Sequence, residues 1–201
     1  MKNFFYQLEK ISSMYGISIV LVMAILFSYL GYMAFDVTQQ VMAVEKSMTD
    51  NETFAKVMNV TKYITLGSSF ITSIIGWLFY AGVFFLLALI FNRNSSFKRI
   101  LLLSSYGYIF SIISATLTIY FLGEVDFTDY QTAFEVQKLI GEYQYIGHLF
   151  NIFFVAYMVG VIWYVCEIKI WQAIVVAAVP VLIFTLFSIV IQNVSTELQQ
   201  M

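Results

Sequence analysis

Few residues in this chain are able to do chemistry, and most of those are hydroxyls. Thr65, Ser68, Ser69, Thr72, Ser73 and Gly76 recur at helical spacing through one apolar stretch, and Ser104, Gly107, Ser111, Ser114 and Thr118 do so through the next. Small and hydroxylated residues spaced three or four apart share a helix face. In lipid such a face lets two backbones approach closely and hydrogen-bond. The spacing predicts a helix-packing seam of Ser68, Thr72, Gly76, Ser104, Gly107, Ser111 and Ser114, closing a tight hairpin between these two stretches. The same hydroxyls could instead line a polar path for a substrate, although carriers usually add buried charge or broken helices.

The remaining reactive groups are isolated. His148 is the sole histidine and stands near the start of an apolar run with no acid or second histidine beside it, so it reads as a satisfied interfacial histidine. Cys166 is the sole cysteine, which excludes an internal disulfide and a cysteine-based metal cluster and leaves it as a small hydrophobe. An acidic run, Glu124, Asp126, Asp129, Glu135 and Glu142 against Lys138, matches no calcium-loop spacing. It reads as a solvated face, with a cation site as the sharper alternative. There is no HExxH, GxSxG, paired-glutamate protease or phosphate-loop pattern. The chain is accordingly read as a non-enzyme, with no catalytic, cofactor-binding or metal-ligating residues and no cofactor.

What must position these groups is a set of long apolar runs. They cover residues 15–35, 64–91, 100–122, 146–166 and 170–191. About 20 mainly apolar residues cross a hydrocarbon core of roughly 30 Å, and all five runs reach that length. Charged residues make up 11% of the chain, and mean hydropathy is +0.84. Soluble domains average about 25% charged residues, so the bilayer is the solvent here. The expected fold is all-α: a polytopic membrane protein of five transmembrane helices with short interfacial or extramembrane helices, forming one membrane domain over residues 1–201. A net charge of −2 gives none of the basic stripe that nucleic acid requires.

The connections follow from the same reading. In residues 1–14, Phe4, Leu8 and Ile11 share a helical face, which predicts a passive interfacial helix before a retained first span, with a docking helix as the alternative. Val37, Val41, Val44 and Met48 predict that the first span continues as a helix until Asp50-Asn51-Glu52 interrupts it. Asp126 or Thr128 is placed to cap a helix leading into the fourth span. The turns 92–99 and 167–169 are short, and Trp163, Tyr164 and Trp171 form an aromatic belt around the second of them. Pro180 is the only proline and lies midway along the last span, where it can kink the helix.

Lys2, Lys10, Arg93, Lys98, Arg99 and Lys169 fall on one side of the membrane, and Lys46, Lys56, Lys62 and Lys138 on the other. The positive-inside rule places the N-terminus and the 92–99 turn in the cytoplasm, and the C-terminus outside.

The centre of the chain carries a resemblance. Leu89-Ile90-Phe91-Asn92-Arg93-Asn94-Ser95-Ser96-Phe97-Lys98-Arg99-Ile100-Leu101-Leu102-Leu103-Ser104-Ser105-Tyr106-Gly107 is a span, a polar turn closing in Ser-Phe-Lys, and a span opening with leucines and an aromatic-small pair. This resembles the Yip-domain membrane proteins, particularly their short bacterial members. The resemblance implies five spans, a cytoplasmic N-terminus and a non-catalytic adaptor role: trafficking, transporter accessory or envelope stress. Two departures are plain: Phe110 stands near the place of a proline in many relatives, and the turn lacks their Gly-Gly. The Tyr-Gly-Pro motif of eukaryotic members is missing, so Rab-GTPase binding is not carried over.

The leading expectation is an integral membrane adaptor in a bacterial cytoplasmic membrane. Its partners would be lipids and either a membrane protein or a second copy, met through Arg93, Phe97, Lys98 and Arg99. The alternative is a small carrier or channel built on the hydroxyl seam.

Overall fold

The computed structural model describes residues 2–46, 52–92, 94–125 and 133–200. Among them there are seven α-helices and no strand: α1 (Lys2–Lys10), α2 (Ser13–Lys46), α3 (Glu52–Phe91), α4 (Phe97–Gly107), α5 (Ile109–Gly123), α6 (Ala133–Cys166) and α7 (Ile170–Gln200). Five stretches are long and apolar enough to cross a membrane: Ser13–Val37, Lys56–Phe91, Phe97–Gly123, Tyr145–Cys166 and Ile170–Phe187. Helices answer the central demand of the bilayer, since each satisfies its own backbone amides and carbonyls where no water can. The side-chain hydroxyls do the same. Ser28 donates to the Ala24 carbonyl at 2.8 Å, Ser73 to Ser69 at 2.8 Å and Thr118 to Ser114 at 3.0 Å.

Two features depart from simple spans. α2 and α3 run well past the apolar stretches, so the helical continuation expected after residue 36 is present as one helix up to Lys46. The third span carries a one-residue irregularity: α4 ends at Gly107 and α5 starts at Ile109, while Tyr108 between them stays right-handed helical (φ −69°, ψ −3°) and its carbonyl accepts the Ile112 amide at 3.0 Å. The expected cap at Asp126 or Thr128 lies outside the described residues, as do Asp129 and Arg93.

The chain forms two compact units. One comprises Met1–Ile17, Leu78–Gly107 and Asn151–Met201. Its core is aromatic and aliphatic, with Phe84, Ile100, Leu103, Met158 and Ile162 fully enclosed. The Phe184 ring meets Phe79 and Tyr80 edge-on at 5.7 and 5.4 Å between centroids. Pro180 sits inside α7 and is buried; without an amide hydrogen it leaves the Val176 carbonyl without its usual i+4 donor.

The turn after α3 is built by Asn92. Its Oδ1 accepts the Asn94 amide at 3.0 Å, its carbonyl accepts the Ser95 hydroxyl at 2.8 Å, and its Nδ2 donates to the Cys166 carbonyl at 2.6 Å. One residue thus binds Asn94 and Ser95 of its own turn and ties them to the C-terminal end of α6. In the 167–169 turn, Glu167 has φ 52°, the left-handed region that costs a side-chain-bearing residue about 1–2 kcal/mol. Glu167 is exposed. Glu167→Gly is therefore expected to stabilise the protein slightly, by up to about 1 kcal/mol, despite the entropy that glycine adds to the unfolded chain. Thermal unfolding in detergent checks this, and a lower midpoint would count against it.

The second unit comprises Ser18–Trp77 and Tyr108–Phe150. Gly31 of α2 meets α3 there: a Cβ at Gly31 would stand 3.0 Å from Ser69 Oγ and 3.8 Å from Thr65 Cγ2. Lys62 pairs with Asp36 and lies 4.0 Å from the Tyr32 ring centre, joining the same two helices. α5 and α6 meet through Phe121 and Tyr143, whose rings stack at 6.1 Å.

Candidate functional site: the docked N-terminal helix

α1 is short and its composition suits an interface, yet the structure fastens it to protein. The stripe Phe4, Leu8 and Ile11 is not the face that packs. Phe4 and Ile11 are exposed, whereas Phe5 is only 4% exposed. The reason lies on α6. Gly160 leaves a slot that the Phe5 ring fills: a Cβ there would stand 2.7 Å from Phe5 Cζ. On either side, the Phe5 ring stacks on Tyr164 and tilts against Tyr157, each at 5.7 Å between centroids. Phe5 was missed because hydrophobic spacing finds a stripe, whereas a glycine slot selects one residue.

Four residues on, Glu9 faces the same way. Its carboxylate takes both arms of Arg99: Nε donates to Oε1, and Nη2 to Oε2 at 3.0 Å. The Tyr164 hydroxyl donates to Oε2, also at 3.0 Å. The Arg99 guanidinium lies 5.2 Å from the Tyr164 ring centre, and Lys2 Nζ lies 5.3 Å from that of Trp163. Lys2, Phe5 and Glu9 therefore occupy one face of α1 at positions i, i+3 and i+7, and Tyr157, Gly160 and Tyr164 repeat that spacing on α6. The match of the two periods lets nine residues be held along their length.

The Arg99 hydrogen bonds hold the Glu9 carboxyl below its ordinary value of 4.5, against the opposing effect of partial burial. The sign follows. An acid whose folded pKa is depressed contributes stability that is present above the unfolded pKa and is lost as pH falls through the folded one. Docking of α1 is thus expected to be intact at neutral pH and to weaken below about pH 4.5. Glu9 and Arg99 side chains remain 25% and 38% exposed, so solvent screening limits the contribution to about 1 kcal/mol. Glu9→Gln should flatten the acid limb of a thermal-stability profile. A wild-type profile already flat between pH 6 and 3 would contradict this role.

The site connects to the third span through Tyr157. Its hydroxyl donates to the Leu103 carbonyl at 2.9 Å, and its ring fills the space beside Gly107. Nearby, Ser105 of α4 occupies the space beside Gly16 of α2. Glu9, Ile11, Ser13, Lys98, Arg99 and Leu102 line an open groove of about 420 Å³ next to α1.

The small-residue positions separate. Ser104, Gly107 and Ser114 are buried, Ser111 is half-buried, and Ser68 and Thr72 are exposed. A Cβ at Gly107 would meet Tyr157 and Phe154 of α6, and one at Gly147 of α6 would lie 3.8 Å from Ser114 Oγ. A Cβ at Gly76 would meet nothing within 4 Å. The small residues of α4 and α5 are thus matched to α6, and those of α3 near Ser69 to α2. Ser68 and Ser104 donate to their own helix carbonyls at 3.1 and 2.9 Å.

Of the turn residues, Phe97 packs edge-on against Phe85 at 5.5 Å, Arg99 is engaged with Glu9, and Lys98 is exposed. Lys98 has no ion pair or hydrogen bond among the described residues. Cys166 is buried and free. His148 differs from expectation: its Nδ1 is buried without a hydrogen-bond partner among the described residues, and its ring lies 6.0 Å from that of Tyr145.

These features define an integral membrane protein of five helical spans with its N-terminal helix locked onto the fourth. The chain matches the Yip1 domain over residues 2–191 and belongs to that family. It is also 31% identical over 110 residues to an uncharacterized protein of Methanocaldococcus jannaschii, covering 53% of this chain and 72% of that one. No solved structure matches it.

Proposed function

We propose that this protein is a non-enzymatic membrane adaptor that associates with other membrane proteins, in a trafficking, transporter-accessory or envelope-stress role. Membership of the Yip1 domain family is the observation that carries the reading. The interior supports it: the buried hydroxyls of Ser28 and Thr118 donate to carbonyls of their own helices. The proposed orientation has the N-terminus and the 92–99 turn in the cytoplasm of a bacterial cell. Partner contact falls to the exposed residues of that turn, Asn94, Phe97 and Lys98, because Arg99 is engaged with Glu9 within the protein.

The test is a photocrosslinking residue at Asn94 in native membranes, followed by mass spectrometry. One dominant membrane protein, or a second copy of this chain, is the expected capture. Recovery of background proteins alone would overturn the adaptor reading.

The carrier reading rests on the hydroxyl seam of the second and third spans, beside a one-residue irregularity at Tyr108 whose backbone stays right-handed helical (φ −69°, ψ −3°). It requires solute or ion flux in liposomes that Ser111→Leu abolishes.

A further inference from the structure

The groove beside α1 combines three properties. It lies where two spans begin: Ser13 opens the first and Lys98 is the second residue of the third. Its lining divides by chemistry, with Lys98, Arg99 and Ser13 polar and Ile11 and Leu102 apolar. Its one carboxylate, Glu9, is matched by Arg99 and the Tyr164 hydroxyl, which leaves the Lys98 ammonium as uncompensated charge. A volume of about 420 Å³ falls within the roughly 300–1,000 Å³ of small-molecule sites.

We propose that this groove binds the headgroup of an anionic phospholipid, with the phosphate on Lys98 and an acyl chain along Ile11 and Leu102. Basic pockets between spans are the usual seats of anionic headgroups. The apolar lining is what separates this ligand from a soluble anion, which has nothing to place there. Arg99 spends Nε and Nη2 on Glu9, so it orders the groove wall through α1 while Lys98 supplies the charge. The site goes beyond the adaptor reading and stands without it.

The experiment uses the full chain in a neutral detergent and native mass spectrometry with added phosphatidylglycerol or phosphatidylcholine. Wild type is expected to retain phosphatidylglycerol preferentially, and Lys98→Glu to weaken that retention about tenfold. Lys169→Glu, an equally exposed cation outside the groove, is expected to change nothing. Equal losses in both variants would mean diffuse surface attraction and overturn the site, as would equal retention of the two lipids by wild type. Competition by millimolar inorganic phosphate as complete as that by phosphatidylglycerol would reassign the groove to a soluble anion. Lys98→Gln provides a milder variant should charge reversal impair folding, with a smaller loss in the same direction.

Discussion

Replacing Phe5 with alanine is expected to release α1 while leaving the spans folded. The ring is almost wholly enclosed by Gly160, Tyr157 and Tyr164, and nothing else on α1 is buried. Removing a buried phenylalanine side chain costs about 3–5 kcal/mol where surroundings cannot collapse. They cannot collapse here, because Tyr157 is held by the Leu103 carbonyl and Tyr164 by Glu9. A nine-residue helix is too short to persist alone. Amide exchange within residues 2–10 should therefore accelerate about 100-fold or more, with exchange in the cores of α3 and α6 unchanged. Unaltered exchange in α1 would mean that lipid, rather than the Gly160 slot, holds this helix.

Gly107→Leu is expected to destabilise the protein by about 2–3 kcal/mol, the upper part of the range for overpacking. A Cβ at Gly107 would already stand 2.8 Å from Tyr157 Cδ1 and 3.1 Å from Phe154 Cε2. Tyr157 cannot swing aside without losing its hydrogen bond to Leu103. The sign is informative, because leucine is a better helix former than glycine by nearly 1 kcal/mol. On a lipid-facing surface the substitution would stabilise. A raised or unchanged midpoint in detergent would therefore remove α6 from this face of α4. Gly76→Leu supplies the comparison, since open space surrounds that position and no loss is expected there.

These two substitutions also mark where sequence reading stopped. The small residues at 104, 107 and 114 were legible as a packing face, because a 3–4 spacing of small side chains has few other uses in lipid. Their partner was not: the spacing pointed to the second span, whereas a Cβ at Gly107 meets Tyr157 and Phe154 of α6 and one at Gly76 meets nothing within 4 Å. A glycine permits close approach by any neighbour, and the neighbour proved to be α6 for Gly107, whereas α3 places its own hydroxyl face near Gly31 of α2. The 92–99 turn shows the same division. Its polarity and brevity were evident, yet only folding brings Asn92 within 2.6 Å of the Cys166 carbonyl, 74 residues away in sequence.

The sequence by itself determined the solvent and the spans. Uninterrupted apolar runs of more than about 20 residues have one stable solution in a bilayer, a helix that satisfies its own backbone, and that constraint acts locally. The Leu89–Gly107 stretch likewise carried enough of its family to be recognised. Tertiary structure alone decided the site. Phe4, Leu8 and Ile11 form the better stripe, but Phe5 faces the slot that Gly160 leaves on a helix 155 residues away. Glu9, an isolated acid in sequence, becomes the anchor of α1 because Arg99 and Tyr164 converge on it. Periodicity reports how a helix divides apolar from polar; which residue docks depends on the shape and charge of a surface assembled from distant segments.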